Sequence, residues 1–197
     1  MNRVILARHG ESEFSVRGAL NGDLAVRVGL TAAGREQARR LGDALRPEQL
    51  DLVVTTEFER VRATADEALA GRDVPRVVLA ELNDPRYGDF EGRTLEEFRA
   101  WAVGTTSADV PGPNGESRQE IVERYARGFR IILARPEQTI LVVAHSLPLS
   151  YALAAREGRE PSGRMPLVEY ATPYPFGAAE LEQVVQLLER WLAAPTW

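Results

Sequence analysis

Short apolar runs and longer stretches with an apolar residue at every third or fourth position alternate along this chain. Val4-Ile5-Leu6-Ala7, after Arg3, is continuously apolar, which suits a strand covered on both faces, as in a parallel sheet. Asp51-Leu52-Val53-Val54-Thr55, Arg76-Val77-Val78-Leu79 and Thr139-Ile140-Leu141-Val142-Val143-Ala144 have the same character, the last most clearly. Thr31 is a suitable N-cap for a helix whose Ala38, Leu41 and Leu45 share one face and which Pro47 ends. Phe58, Val61, Ala65 and Leu69 are spaced for burial in a helix over 57–70, stopped by Gly71. Leu95, Phe98 and Trp101 mark a short helix over 94–103, and Ile121, Tyr125, Phe129, Ile132 and Leu133 a longer one over 116–134. Helices over 148–155 and 178–192 complete the set.

The remaining segments are irregular: 12–28 with room for one short helix, 81–92, 104–115, and 158–177 with one edge strand expected at Leu167–Ala171. Strands that alternate with helices, joined by connections too long for hairpins, predict an α/β fold. The expected architecture is a three-layer α/β/α sandwich: a mostly parallel central sheet with helices on both faces, in one domain over 1–197.

Parallel strands point the same way, so their carboxyl ends line one edge, where open α/β sheets collect ligands. The first strand delivers Arg8 and His9 there, and the second leads into Thr55, Thr56, Arg60 and Arg62. Glu81, Asp84 and Arg86 follow the third strand, and His145 and Ser146 the fourth. The chain has only two histidines, and both directly follow buried strands.

Composition narrows the chemistry. All 24 basic residues are arginine, and cysteine is absent. Thiolate nucleophiles, cysteine metal sites, Schiff-base lysines and a lysine-bearing phosphate loop are therefore excluded. A net charge of −5 argues against general nucleic-acid binding, while an anionic small molecule remains compatible if a local pocket is positive. No apolar run reaches membrane-span length and no signal-like segment precedes the first strand, so a soluble cytoplasmic protein without membrane partners is expected.

Two histidines, arginines and a carboxyl group at one edge suit phosphoryl transfer. A guanidinium fork matches phosphate oxygens, a neutral imidazole is a competent nucleophile, and a carboxylic acid can protonate a departing alkoxide. Blander readings stand beside this one. Either histidine can be structural, Arg60 and Arg62 can belong to a solvated ion-paired helix face, and Thr55 and Thr56 can be helix caps. A metal held by two histidines and a carboxylate is disfavoured because Arg8, next to His9, repels a cation.

The ordered motifs resemble those of the histidine phosphatase superfamily, the phosphoglycerate mutase-like fold. They are Arg8-His9-Gly10-Glu11-Ser12, Leu30-Thr31-Ala32-Ala33-Gly34-Arg35-Glu36-Gln37-Ala38, a looser Thr55–Ala65 segment, Gly88-Asp89-Phe90-Glu91-Gly92-Arg93-Thr94, Gly115-Glu116-Ser117 and His145-Ser146. The resemblance implies that His9 is the phosphoryl acceptor, with Arg8, Arg60 and His145 around the transferred oxygens. It places the proton donor at Asp84, where the family has a glutamate; the side chain is one methylene shorter, a change in reach of about 1.5 Å, and Glu81 is the alternative. Ser15, Asn21 and Ser146 fall at substrate-binding positions, and a small cap is expected over about 93–114, with Phe98 and Trp101 packing it down or lining the pocket.

The implied activity is metal-independent phosphomonoester hydrolysis through phospho-His9, with no cofactor. The expected substrate is small and phosphorylated; a phosphoprotein is the other possibility. A phosphoglycerate mutase and a non-catalytic phospho-ligand-binding protein are the alternatives. The mutase is disfavoured because no dedicated cluster for a second phosphate is visible between Gly92 and Gly115, where Arg93 and Arg99 are the only candidates.

Overall fold

The computed structural model describes residues 1–197. Its strands are β1 (Arg3–Arg8), β2 (Leu52–Thr55), β3 (Arg76–Val78), β4 (Thr139–Ala144) and β5 (Tyr174–Gly177). The helices are α1 (Glu13–Val16), α2 (Ala32–Ala44), α3 (Glu59–Ala68), α4 (Leu95–Ala102), α5 (Arg118–Leu133), α6 (Ser146–Arg156) and α7 (Ala178–Ala193). The five strands form one sheet in the order β3-β2-β4-β1-β5. β1, β2, β3 and β4 run parallel, and β5 joins β1 antiparallel.

Strand alternation divides the core in two. Val4, Leu6, Leu52, Val54, Ile140 and Val142 face α5, α6 and α7, where Tyr125, Phe129, Leu188 and Trp191 are buried. Ile5, Ala7, Val53, Leu141 and Val143 face α2 and α3, against Leu41, Val61 and Ala65. Consecutive apolar residues in β1 and β4 are thus a requirement of burial on both faces. A third, smaller cluster of Leu20, Tyr87 and Phe98, with Phe90, Leu95 and Trp101 packed against it, holds α4 to the loops.

The edge strand is displaced from its expected place. Leu167–Ala171 makes a single bridge, Arg8 to Tyr170, and the edge strand is Tyr174–Gly177. Pro175 sits there opposite Ile5; a residue without an N–H is tolerated where one side of the strand needs no partner. The helix after β2 starts later than its apolar spacing suggests, at Glu59 with Phe58 as N-cap, so neither Thr55 nor Thr56 caps it.

Backbone proximity fixes the loops beneath the site. A Cβ on Gly10 would lie 2.4 Å from the Gly34 carbonyl oxygen, so the turn after β1 presses directly on the start of α2. α2 and α3 approach as closely at Gly42, where a Cβ would stand 2.2 Å from the Ala68 carbonyl oxygen. On an open helix, Gly42→Ala would stabilise by roughly 0.5–1 kcal/mol. Here we predict a net loss of about 1–3 kcal/mol, the cost of overpacking, read as a lower urea midpoint; a gain in stability would show that the two helices are not in backbone contact.

Candidate active site

The register of the sheet brings the histidines together. β1 and β4 are adjacent, with Arg8 opposite Ala144, so His9 and His145 leave the sheet side by side. Their ring centroids are 5.4 Å apart, and the His9 N–H donates to the Ala144 carbonyl at 2.9 Å. β2 lies on the other side of β4 and leads through Phe58 into α3, whose first turn carries Arg60. Arg8, His9, Arg60 and His145 are all buried.

Hydrogen bonds orient each group. His9 Nδ1 lies 2.7 Å from the Gly10 carbonyl oxygen, a contact that requires the proton on Nδ1. The lone pair is therefore on Nε2, to which Arg60 Nε donates at 3.2 Å. Arg60 also donates through Nη1 to Asn21 Oδ1 at 2.6 Å, and through Nη2 to the Asn21 carbonyl at 3.0 Å and Asp84 Oδ2 at 2.8 Å. His145 Nδ1 sits 3.3 Å from that Nη2 and 3.4 Å from Asp84 Oδ2, and its Nε2 is 3.0 Å from Thr56 Oγ1. The Phe58 ring underlies both Arg60 and His145. Arg8 lies over the Tyr170 ring at 3.8 Å and donates through Nη1 to the Val168 carbonyl at 2.7 Å; its buried Nε has no partner within the protein.

These surroundings set protonation. Burial, then the charges of Arg60 and Arg8, hold His9 well below the ordinary imidazole value of 6.5. Burial and Arg60 do the same to His145. Burial raises Asp84 above the usual carboxylate value, against the opposing pull of Arg60. The site thus combines neutral imidazoles with fixed guanidinium charge and an acid biased toward keeping its proton.

His9, Arg8, Arg60, His145, Asp84 and Asn21 meet around one point. The shorter Asp84 side chain reaches this cup, while Glu81 lines a separate open cleft of about 680 Å³ that shares Asp84 as part of its wall. The cup opens into a cavity of about 150 Å³ also lined by Ser15 and Ser146. The Ser15 hydroxyl is engaged with Ser12, and Ser146 Oγ accepts from the Val168 N–H at 2.8 Å. Arg62 is exposed, and Arg86 turns away to the Asn114 carbonyl.

Sequence reasoning named Thr56 only as one of several edge groups, and it missed three supporting residues. These are Tyr170 beneath Arg8, Phe58 beneath Arg60, and Thr64, which accepts from the Gly10 N–H and donates to the Arg60 carbonyl. The loop carrying Asp84 is pinned from outside the cup. Arg124 donates to the carbonyls of Glu81 and Asn83 and forms a two-bonded ion pair with buried Glu116, which accepts from the Arg86 N–H.

The histidine phosphatase superfamily (branch 1) matches this chain over residues 4–172. The chain belongs to that superfamily. It is 37% identical over 161 residues to the adenosylcobalamin/alpha-ribazole phosphatase of Salmonella typhimurium, covering 77% of this chain and 78% of that one. It is 31% identical over 169 residues to a 2,3-bisphosphoglycerate-dependent phosphoglycerate mutase of Methylobacterium, covering 79% and 80%. The crystal structure of a putative alpha-ribazole-5'-P phosphatase from Escherichia coli superposes with a TM-score of 0.76 at 31% identity, over 89% of this chain and 90% of that one. Family and relatives identify this histidine phosphatase as a phosphomonoester hydrolase of phosphoglycerate mutase-like fold. No helix in it is long and apolar enough to cross a membrane.

Thr56→Val keeps the shape beside His145 and removes its hydroxyl. Leaving a buried imidazole nitrogen unpaired should cost about 1–3 kcal/mol, measured by urea denaturation; an unchanged midpoint would show that Thr56 is not the partner of His145.

Proposed function

We propose that His9 is the nucleophile of a metal-independent phosphatase acting on a small phosphorylated substrate. The observation that carries this reading is the His9 tautomer. Nδ1 is tied to Gly10, and the Nε2 lone pair faces the cup beside the Arg60 guanidinium. In the first step Nε2 bonds to phosphorus as the bond to the leaving oxygen breaks, and Asp84 gives that oxygen its proton. In the second, the Asp84 carboxylate takes a proton from water, whose oxygen bonds to phosphorus as the bond to His9 breaks. Inorganic phosphate leaves, and both residues return to their starting states.

Arg8, Arg60 and His145 surround the equatorial oxygens in this scheme. The unpartnered Arg8 Nε is a donor suited to one of them, and fixed donors of this kind stabilise developing charge without reorganising. Incoming phosphate charge raises the Asp84 pKa further, which favours the protonated acid at the moment it is needed. Asn21 serves by holding Arg60, and Ser15 and Ser146 by shaping the substrate wall. Residues 93–114 act as a cap whose Phe98 packs on Tyr87, which favours a small molecule over a folded phosphoprotein. Alpha-ribazole-5'-phosphate, from the names of the relatives, is the first substrate to assay, and a cytoplasmic location accords with this chemistry.

His9→Ala should abolish both the phosphoenzyme and turnover, and EDTA should leave the wild type active. Restoration of EDTA-treated enzyme by a divalent metal would overturn the metal-independent scheme. Isomerisation of 3-phosphoglycerate without phosphate release would reveal a mutase, and phosphate-ester binding without phosphoenzyme a binding protein. Asp84→Asn should slow alkyl phosphates by about 10²–10⁴-fold and aryl phosphates, whose leaving groups need less protonation, far less. Equal losses for both would exclude Asp84 as the donor.

The pH profile follows from the shifts. His9 must be neutral to attack, and its pKa lies below 6.5, so the acid limb of kcat/KM should fall below pH 6.5. A limb above that value would mean that His9 is not desolvated.

A further inference from the structure

The segment 165–171 forms no ladder with the sheet beyond the bridge at Tyr170, so its other backbone groups need other partners. Side chains supply them. Arg99 Nη2 donates to the Met165 carbonyl at 3.0 Å, Ser150 Oγ donates to the Pro166 carbonyl at 2.9 Å, and Ser146 Oγ accepts from the Val168 N–H at 2.8 Å. Ser146 and Ser150 are four residues apart on α6, the spacing that puts two side chains on one face. Met165 and Val168 reach the core, while Pro166, Leu167 and Glu169 are exposed. Apolar packing of the segment is correspondingly thin, and the two hydroxyls fasten it to α6. Ala171 closes it in the left-handed region, at φ 46°, which an alanine keeps only where its surroundings enforce it. Its N–H donates to the Arg8 carbonyl at 2.9 Å.

This segment supports one of the cup's two guanidiniums. Arg60 is held by Asn21, Asp84, His9 and His145, which come from separate parts of the chain. The Arg8 guanidinium is held by the Val168 carbonyl and the Tyr170 ring, both from the one segment, and its Nε is unpartnered. The aim of Arg8 therefore follows the position of that segment. Val168 is the joint: its N–H rests on Ser146 and its carbonyl receives Arg8. α6 starts directly after His145, so the helix that continues from one residue of the cup also seats the support of another.

We propose that Ser146 and Ser150 are positioning residues that aim Arg8 at the transferred phosphoryl group by clamping the segment 165–171 to α6. This rests on the phosphatase reading of His9 and extends it to the support of a second residue of the cup.

Kinetics with an aryl phosphate, and calorimetry with orthovanadate, which can take the five-coordinate shape of the transition state, test this on the intact protein. Ser150→Ala is the decisive variant, because Ser150 does not line the cavity and no substrate contact explains its effect. It and Ser146→Ala should each lower kcat about tenfold through misaimed Arg8, with KM within about twofold, and weaken orthovanadate by a like factor. In an Arg8→Gln background neither serine substitution should change kcat or orthovanadate affinity by more than about twofold, because the residue they act through is gone. A purely structural role would lower the melting temperature and leave kcat of the folded enzyme unchanged, in either background. Unchanged kcat and affinity in Ser150→Ala overturn the proposal, and so do losses that persist in the Arg8→Gln background. A loss confined to Ser146→Ala means that Ser146 touches the substrate directly, and overturns it as well. Should Ser150→Ala not fold, Ser146→Ala still decides through the comparison with and without Arg8. If the phosphatase reading alone failed, no ester would turn over, while orthovanadate binding would still weaken in the serine variants only when Arg8 is present.

Discussion

The Arg60 guanidinium is the interaction on which the site depends. A buried cation is costly unless it is paired and hydrogen-bonded on all sides. Arg60 meets that demand only if Asn21, Asp84, His9 and His145 converge on it. Those four residues come from the loop after α1, the loop after β3, and the ends of β1 and β4. Satisfying one side chain therefore assembles groups that lie far apart in sequence, and Phe58 beneath it closes the remaining face. The bond from Arg60 Nε to His9 Nε2 ties the same charge to the proposed nucleophile.

Much of this was legible in the sequence, because burial on both faces leaves an unambiguous signal. The continuous apolar runs of β1 and β4 marked the centre of the sheet, and their ends delivered His9 and His145 to one place. The edge strand was harder. Tyr174-Pro175-Phe176-Gly177 carries two residues that normally interrupt strands, whereas Leu167–Ala171 has strand-like composition but turns to serve Arg8 through the Val168 carbonyl and the Tyr170 ring. Thr56 has the composition of a helix cap, and only three-dimensional contact reveals His145 as its partner.

Electrostatics explains how an acidic protein can favour an anionic substrate. The overall charge is carried at the surface, where solvent and salt weaken it. The cavity charges lie among apolar side chains, where neighbouring charges act more strongly. The same burial holds the two imidazoles well below their ordinary value and raises Asp84 above the usual carboxylate value against the pull of Arg60. One buried arrangement of arginines thus attracts anions and helps to keep the two imidazoles neutral.

The Glu116–Arg124 pair gives the two halves of the site different mechanical supports. His9 is anchored to the sheet through neighbouring strands, while the loop bearing Asp84 hangs from α5 by the bonds of Arg124 to the carbonyls of Glu81 and Asn83. Besides the direct bonds of Arg60, the separation of the proposed nucleophile and acid therefore depends on how α5 seats on the sheet, through Tyr125 and Phe129 in the core. In the proposed scheme, loosening that distant packing would disturb proton delivery before it disturbed attack on phosphorus, leaving an enzyme that still forms the covalent intermediate but favours substrates with good leaving groups.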